Sequence, residues 1–173
     1  MNDYCRLAKE AIKNYLTTGQ IIDPPKDLPE NFYKEKSGVF VTIENNGQLR
    51  GCIGTFLPTK ENIAQEIIAN AIAAATQDYR FLPITKEELS QLDFEVSVLE
   101  EPEPIKNLVG HDPKKYGLIV KYVNLPYKCG LLLPDLESVD TPQQQFLICC
   151  QKGRIDPEKE TVALFRFKVE KYQ

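Results

Sequence analysis

The length, composition and charge of this chain exclude several classes of protein. Its 173 residues are enough for one domain that buries about 70% of its unfolded surface, so neither disulfides nor metal are needed for folding. Hydrophobic residues make up 42% and charged residues 27% of the chain, as in soluble globular proteins, and the net charge of −4 argues against general nucleic-acid binding.

The sequence also indicates where the protein resides. No apolar run approaches the roughly 20 residues of a membrane helix, and charges are spread through the N-terminal segment, unlike a signal peptide. The five cysteines are odd in number and scattered, and two of them are adjacent. We therefore expect a cytoplasmic protein with reduced cysteines.

Hydrophobic periodicity predicts a helix at the start of the chain. It covers residues 3–19, with Asp3 as its cap and Gly19 as its end. Residues 20–37 are rich in proline and charge and are predicted to form a surface connection. That connection carries four apolar anchors: Ile21, Ile22, Leu28 and Phe32.

A hairpin is predicted for residues 38–44 and 48–56, because Asn46-Gly47 between them favours a tight turn. The length of the turn decides which way the side chain of Cys52 points. A two-residue turn places Cys52 on the face of Val39, Val41 and Ile43, whereas a three-residue turn places it with Phe40, Thr42 and Glu44.

The remaining elements alternate between helices and strands. A helix is predicted at 60–76, a short helix from the capping-box sequence at 85–88 through Leu92, and a helix at 141–150 that stops at Gly153. Strands are predicted at 93–100, 117–123, 129–134 and 161–170. This order favours an α+β fold with a mainly antiparallel β-sheet flanked by helices, in one domain of residues 1–173 that has room for a small sub-lobe.

Several motifs together resemble the AMMECR domain family, over nearly the whole chain. Residues 49–56 read LRGCIGTF, and Asp78, Arg80, Phe81 and Pro83 resemble a second block, in which Tyr79 replaces the usual proline. Further blocks are EVSVL at 95–99, YGLIV at 116–120, GLLLP at 130–134 and QFL at 145–147 followed by Cys150.

The resemblance implies a larger and a smaller lobe with a groove between them. It implies no settled activity, and we expect no cofactor. Similar prokaryotic domains occur beside a Memo-like protein and a radical SAM protein, a grouping called AmmeMemoRadiSam, and some members fuse the AMMECR and Memo-like parts. Both proteins are therefore expected partners.

Two interpretations of Cys52 stay open. Arg50 and Cys52 share one face of a regular strand, and a guanidinium near a thiol favours the nucleophilic thiolate. A cysteine among apolar strand residues is, however, more often a small buried hydrophobe, and the structural interpretation is favoured.

The neighbouring candidates also have two interpretations. Gly51 and Gly54 match no phosphate loop and indicate close approach of a helix or a ligand, with the helix favoured. Asp78 and Arg80 either line a groove with Arg50, Gly51, Gly54 and Thr55, as a cationic pocket for a carboxylate or phosphate, or form a salt bridge that ties the loop 77–83 to the sheet.

Other chemistry has little support in the sequence. The single histidine, His111, is predicted to be solvated in a polar loop, and the spacing of cysteines indicates no metal site.

Three functions follow from these observations. The first is an accessory domain whose groove holds a small anion or a partner segment. The second is an enzyme that uses Cys52 with Arg50 and Arg80. The third is nucleic-acid binding, and the excess of acidic over basic residues argues against it.

Overall fold

The computed structural model describes residues 2–173, which divide into two compact units. The first unit runs to Leu99 and includes Glu170–Gln173, and the second is Glu100–Val169. Within residues 2–173, each helix is too short or too polar to cross a membrane.

The first unit is a four-stranded sheet with the order β2-β1-β3-β8, packed against helices. Its elements are α1 (Asp3–Thr18), α2 (Asn31–Lys34), β1 (Val39–Asn45), β2 (Gln48–Thr55), α3 (Ile63–Thr76), β3 (Leu92–Leu99) and β8 (Val169–Tyr172). Strand β1 is antiparallel to both β2 and β3. Because Val39, Val41 and Ile43 are fully buried with the apolar residues of α1 and α3, this face of the sheet forms the core.

The second unit is another four-stranded sheet, with the order β4-β7-β5-β6 and one helix. Its elements are β4 (Glu103–Ile105), β5 (Gly117–Tyr122), β6 (Cys129–Leu132), α4 (Pro142–Gly153) and β7 (Val162–Phe167). All its strand pairs are antiparallel. The expected α+β class with mainly antiparallel pairing is therefore confirmed, with two sheets in place of one.

The hairpin contains a β-bulge that the sequence did not reveal. Its turn has two residues, since Asn45 pairs with Gln48, but the register shifts between Ile43 and Glu44. The extra residue on β2 is Arg50, and beyond it Cys52 pairs with Thr42. The prediction that a two-residue turn puts Cys52 on the buried face is wrong, because one inserted residue reverses the faces of a strand.

Several predicted ends and types of elements also differ. Asn2, rather than Asp3, caps α1 by accepting the N–H of Cys5 at 3.0 Å. The predicted helix from residue 85 is only a 3₁₀ turn, Glu88–Gln91. Gly153 lies within α4, which ends at Arg154 in a left-handed conformation with φ 54°. Of the four predicted anchors, Ile21 is 67% exposed.

The segment predicted as one strand at 161–170 is two strands in different sheets, β7 and β8. Its alternation of apolar and polar residues continues across the break, so periodicity alone could not reveal the change of sheet. The segment after β3, for which no strand is predicted, contains β4 opposite β7.

His111 is buried, with 5% of its surface exposed. Its Nε2 lies 2.6 Å from Oε1 of Gln145 on α4. The prediction of a solvated histidine is therefore wrong. The polar sequence around His111 gave no sign of this contact, since Gln145 is 34 residues away.

Gly51 lets β2 approach α3 closely, because a Cβ at this position would overlap the main-chain oxygen of Ala74. We expect Gly51→Ala to lower the free energy of unfolding by about 1–3 kcal/mol, as for other overpacked sites. Urea unfolding measures this change. The control is Gln48→Ala, at an exposed position on the same strand, and equal stability of the two variants would contradict the tight packing.

Candidate functional site

Asp78 closes the open edge of the sheet. Strand β2 is an edge strand, and an edge strand leaves main-chain N–H and C=O groups without a neighbour. The carboxylate of Asp78, just beyond α3, accepts the N–H of Cys52 at 2.9 Å. A buried side chain thus replaces the missing strand at Cys52.

Arg80 also contributes to closing this edge, and we call the pair of Asp78 and Arg80 the edge cap. Its Nε and Nη2 donate to the two oxygens of Asp78 at 2.9 and 2.7 Å, and Nη2 also reaches the carbonyl of Cys52 at 3.4 Å. The hydrogen bonds from Arg80 hold the pKa of Asp78 well below its usual range, against the opposing effect of burial, and the N–H of Cys52 adds to the lowering. Asp78 is therefore an ionised, buried carboxylate.

Arg50, the bulge residue, holds the far end of the same loop. Its Nε and Nη2 donate to Glu88 at 2.8 and 3.2 Å, while Nη1 donates to the carbonyl of Leu82 at 2.8 Å. Arg50 and then the N–H of Thr85 lower the pKa of Glu88. Glu88, the last residue of the predicted capping box, therefore forms an ion pair with Arg50 and also accepts the N–H of Thr85.

These contacts bear on the two interpretations of the predicted cationic pocket. Arg50 and Arg80 each bind a carboxylate of the protein itself, so an added anion would compete with Glu88 or Asp78. The geometry favours the salt bridges that tie the loop to β2.

The thiol of Cys52 has a polar neighbour. It is partly buried, and its Sγ lies 3.3 Å from Oγ1 of Thr42 across the hairpin. The nearby arginines hydrogen-bond carboxylates and main-chain carbonyls. The structure thus brings Cys52, Asp78 and Arg80 together through the main chain of Cys52.

The other predicted residues of the site also have packing roles. Gly51 faces α3, whereas a Cβ at Gly54 would overlap the ring of Phe40 and the carbonyl of Val39. Thr55 donates its hydroxyl to Glu66 at 2.6 Å. The favoured helix approach therefore holds at Gly51, and at Gly54 the close neighbour is the adjacent strand.

Glu66 is a buried carboxylate that is not among the residues predicted for the site. Burial alone raises its pKa, but hydrogen bonds from Thr55, Thr59 and Lys60 lower it overall. These bonds fix the segment after β2 to α3. The signal in the sequence was Glu66 and Asn70, spaced four residues apart beside the apolar face of the helix.

Residues 78–83 form a loop that Arg80 holds at one end and Arg50 holds at the other, and this loop presents apolar side chains to solvent. Tyr79 is 95% and Leu82 is 83% exposed. Phe81 is partly buried, with the guanidinium of Arg80 5.4 Å from its ring centre. The main chain is held further by the N–H of Ile84, which donates to Ala75 at 2.8 Å.

Within residues 2–173, the side chains of His, Cys, Asp and Glu form no group of three or more arranged to hold a metal ion.

Comparison with known proteins assigns the family. A family model described as AMMECR1 matches residues 5–172. The chain belongs to the AMMECR1 family. This agrees with the resemblance carried by the LRGCIGTF motif and the blocks after it.

Relatives within the AMMECR1 family extend the match over whole chains. A protein of Thermotoga maritima is 46% identical over 98% of this chain and 97% of its own length. The crystal structure of the uncharacterized protein PH0010 from Pyrococcus horikoshii is 36% identical, with a TM-score of 0.86, and the match covers 97% of this chain and 88% of that one.

One AMMECR1 relative is much longer. A protein of Clostridium acetobutylicum is 46% identical over 91% of this chain, which spans only 33% of that protein. In that relative, the AMMECR1 domain is therefore part of a longer polypeptide.

Removal of Arg80 tests the edge cap. We expect Arg80→Ala to lower the free energy of unfolding at neutral pH by about 2 kcal/mol, because Asp78 stays buried and ionised without its charged donor. Urea unfolding provides the measurement, and Lys86→Ala, at an exposed lysine, is the control. Equal losses in the two variants would contradict the cap.

The pH dependence gives a second readout of the same pair. A lowered pKa means that Asp78 stabilises the fold above its unfolded pKa of about 3.9 and loses this effect as the pH falls toward its folded pKa. The stabilities of wild type and Arg80→Ala should therefore converge below about pH 4. A constant difference across the acid range would mean that Arg80 acts through packing.

Thiol labelling tests the burial of the five cysteines. Burial raises the pKa of Cys5 and Cys150 and raises that of Cys149 to about 12. We expect iodoacetamide to modify Cys52 and Cys129, which are partly exposed, before the other three, as read by peptide mass spectrometry. Labelling of Cys149 in the folded protein would contradict this order.

Proposed function

We propose that this protein is an accessory domain that binds partner proteins through its clamped loop, residues 78–83. The observation that carries the proposal is the exposure of Tyr79 and Leu82 on a loop held at both ends. A free loop loses entropy when it binds, whereas a pre-ordered one loses little. Aromatic residues are also enriched at interfaces, where they supply most of the binding energy.

The partners we propose are a Memo-like protein and a radical SAM protein, through the pathway that the family resemblance implies. The long Clostridium acetobutylicum relative supports the existence of a partner protein, because its AMMECR1 domain is covalently joined to further chain; the identity of the two partners rests on the family resemblance. We place this association in the cytoplasm, where free thiols such as the five found here persist.

A partner segment fits the loop better than a small anion does. The carboxylates of Asp78 and Glu88 already bind Arg80 and Arg50, whereas the apolar surfaces of Tyr79 and Leu82 have no such covering. Burial of these two side chains against a partner would remove apolar surface from water at about 25 cal/mol per Å².

The test is binding of the purified chain to the Memo-like and radical SAM proteins of the same organism, measured by surface plasmon resonance. We expect the double variant Tyr79→Ser, Leu82→Ser to weaken binding at least about ten-fold, as for an aromatic hot spot, with unchanged thermal stability. The matched control is Tyr127→Ser, Val123→Ser, since these residues are also exposed, 82% and 51%, in the second unit.

Two outcomes would contradict the proposal. One is the absence of binding to either partner at micromolar concentrations. The other is equal binding by both double variants, which would place any interface away from the clamped loop.

A further inference from the structure

The second unit contains a groove that no predicted site residue touches. Its volume is about 640 Å³, within the range of roughly 300–1,000 Å³ of small-molecule sites. It lies where β4 ends beside β7, and its other walls are residues 106–109 and the first turns of α4. All of these segments belong to the second unit.

The inner surface of the groove is largely apolar. Ile105 and Leu164 face each other as a cross-strand pair. Leu108 and Phe146 join them, and these four side chains are partly buried against the core of the second unit. They form a surface suited to an alkyl or aryl group.

The charge of the groove is positive, in contrast to the chain as a whole. The chain has a net charge of −4, yet the residues that line the groove include Lys106 and no aspartate or glutamate. Lys106 is exposed and does not take part in the ion pairs that the structure shows among residues 2–173. The amide of Gln143 on α4 is a further polar group at the wall.

A buried hydrogen-bond chain holds two walls of the groove together. Gln145 on α4 donates its amide nitrogen to the carbonyl of Tyr116 at 3.0 Å, so its oxygen faces His111. His111 therefore donates from Nε2, and its main-chain N–H binds the carbonyl of Leu108 at 3.1 Å. The segment that carries Lys106 and Leu108 is thus braced against the helix that carries Phe146.

Only one of the two ring nitrogens of His111 takes part in this hydrogen-bond chain. Its Nδ1 is the one buried side-chain nitrogen or oxygen within residues 2–173 that has no hydrogen-bond partner. Such a group costs free energy, which is offset by the contact with Gln145. The hydrogen bonds of Gln145 and His111 therefore join these walls of the groove in the absence of a ligand.

We propose that this groove binds a small monocarboxylate with an apolar body. The alkyl or aryl group lies against Ile105, Leu108, Phe146 and Leu164, and the carboxylate pairs with Lys106. The ligand is a free metabolite-sized molecule rather than a segment of a protein. The groove is separate in sequence from the clamped loop, so the test of ligand binding does not depend on the outcome of the test of partner binding.

The experiment is titration of the whole chain with sodium decanoate, followed by amide chemical shifts in ¹H–¹⁵N correlation spectra. We expect saturable shifts concentrated at residues 104–109, 143–146 and 162–165. Lys106→Met should raise the dissociation constant about three-fold, the effect of losing one exposed ion pair, whereas Lys106→Arg should retain affinity. The neutral analogue 1-decanol should bind wild type and Lys106→Met equally.

Controls separate the groove from general surface effects. Lys152→Met removes another exposed lysine, outside the groove, and should leave decanoate binding unchanged. Val109→Glu, at a lining residue that is 89% exposed, should weaken it, whereas Val123→Glu should not.

Three results would overturn the proposal. They are the absence of saturable shifts, shifts spread over both units, and equal affinity of wild type and Lys106→Met for decanoate. Shifts at these positions with a peptide that ends in an apolar residue, but not with decanoate, would also overturn it and identify the occupant as a partner chain.

Discussion

The open edge of β2 is the constraint on which the candidate site depends. A strand at the edge of a sheet must satisfy or shield its main-chain groups, and here Asp78 accepts the N–H of Cys52 while Arg80 reaches its carbonyl. The ion pair between these two side chains lies where a further strand would otherwise pair. The loop after α3 is thereby fixed to the strand that carries the signature motif.

The β-bulge at Arg50 extends this arrangement. Because the bulge inserts a residue, Cys52 pairs with Thr42 instead of lying on the buried face. Arg50 itself binds Glu88 and the carbonyl of Leu82, so both ends of the loop are attached to one strand. Two arginines that resembled a ligand pocket in sequence therefore act first on the protein's own carboxylates and carbonyls, and the loop they fix exposes Tyr79 and Leu82.

The two units use buried polar groups in a similar way. In the first unit, Glu66 binds Thr55 and the main chain of Thr59 and Lys60, which fixes the segment after β2 to α3. In the second, Gln145 joins His111 to the carbonyl of Tyr116. Each group is costly to bury alone and stabilising once bonded. Such contacts give each unit fixed surfaces, a loop in one and a groove in the other.

The sequence by itself determined the family, the α+β class, and the positions of most helices and strands, because hydrophobic periodicity and turn residues act locally. It also placed the packing of Gly51 against the helix. Only the tertiary structure decided which face Cys52 occupies, that Asp78 accepts the main-chain N–H of Cys52, that Glu88 neutralises Arg50, and that His111 is buried. These outcomes depend on one inserted residue or on partners 26 to 38 residues away, and no local pattern encodes such distant pairings.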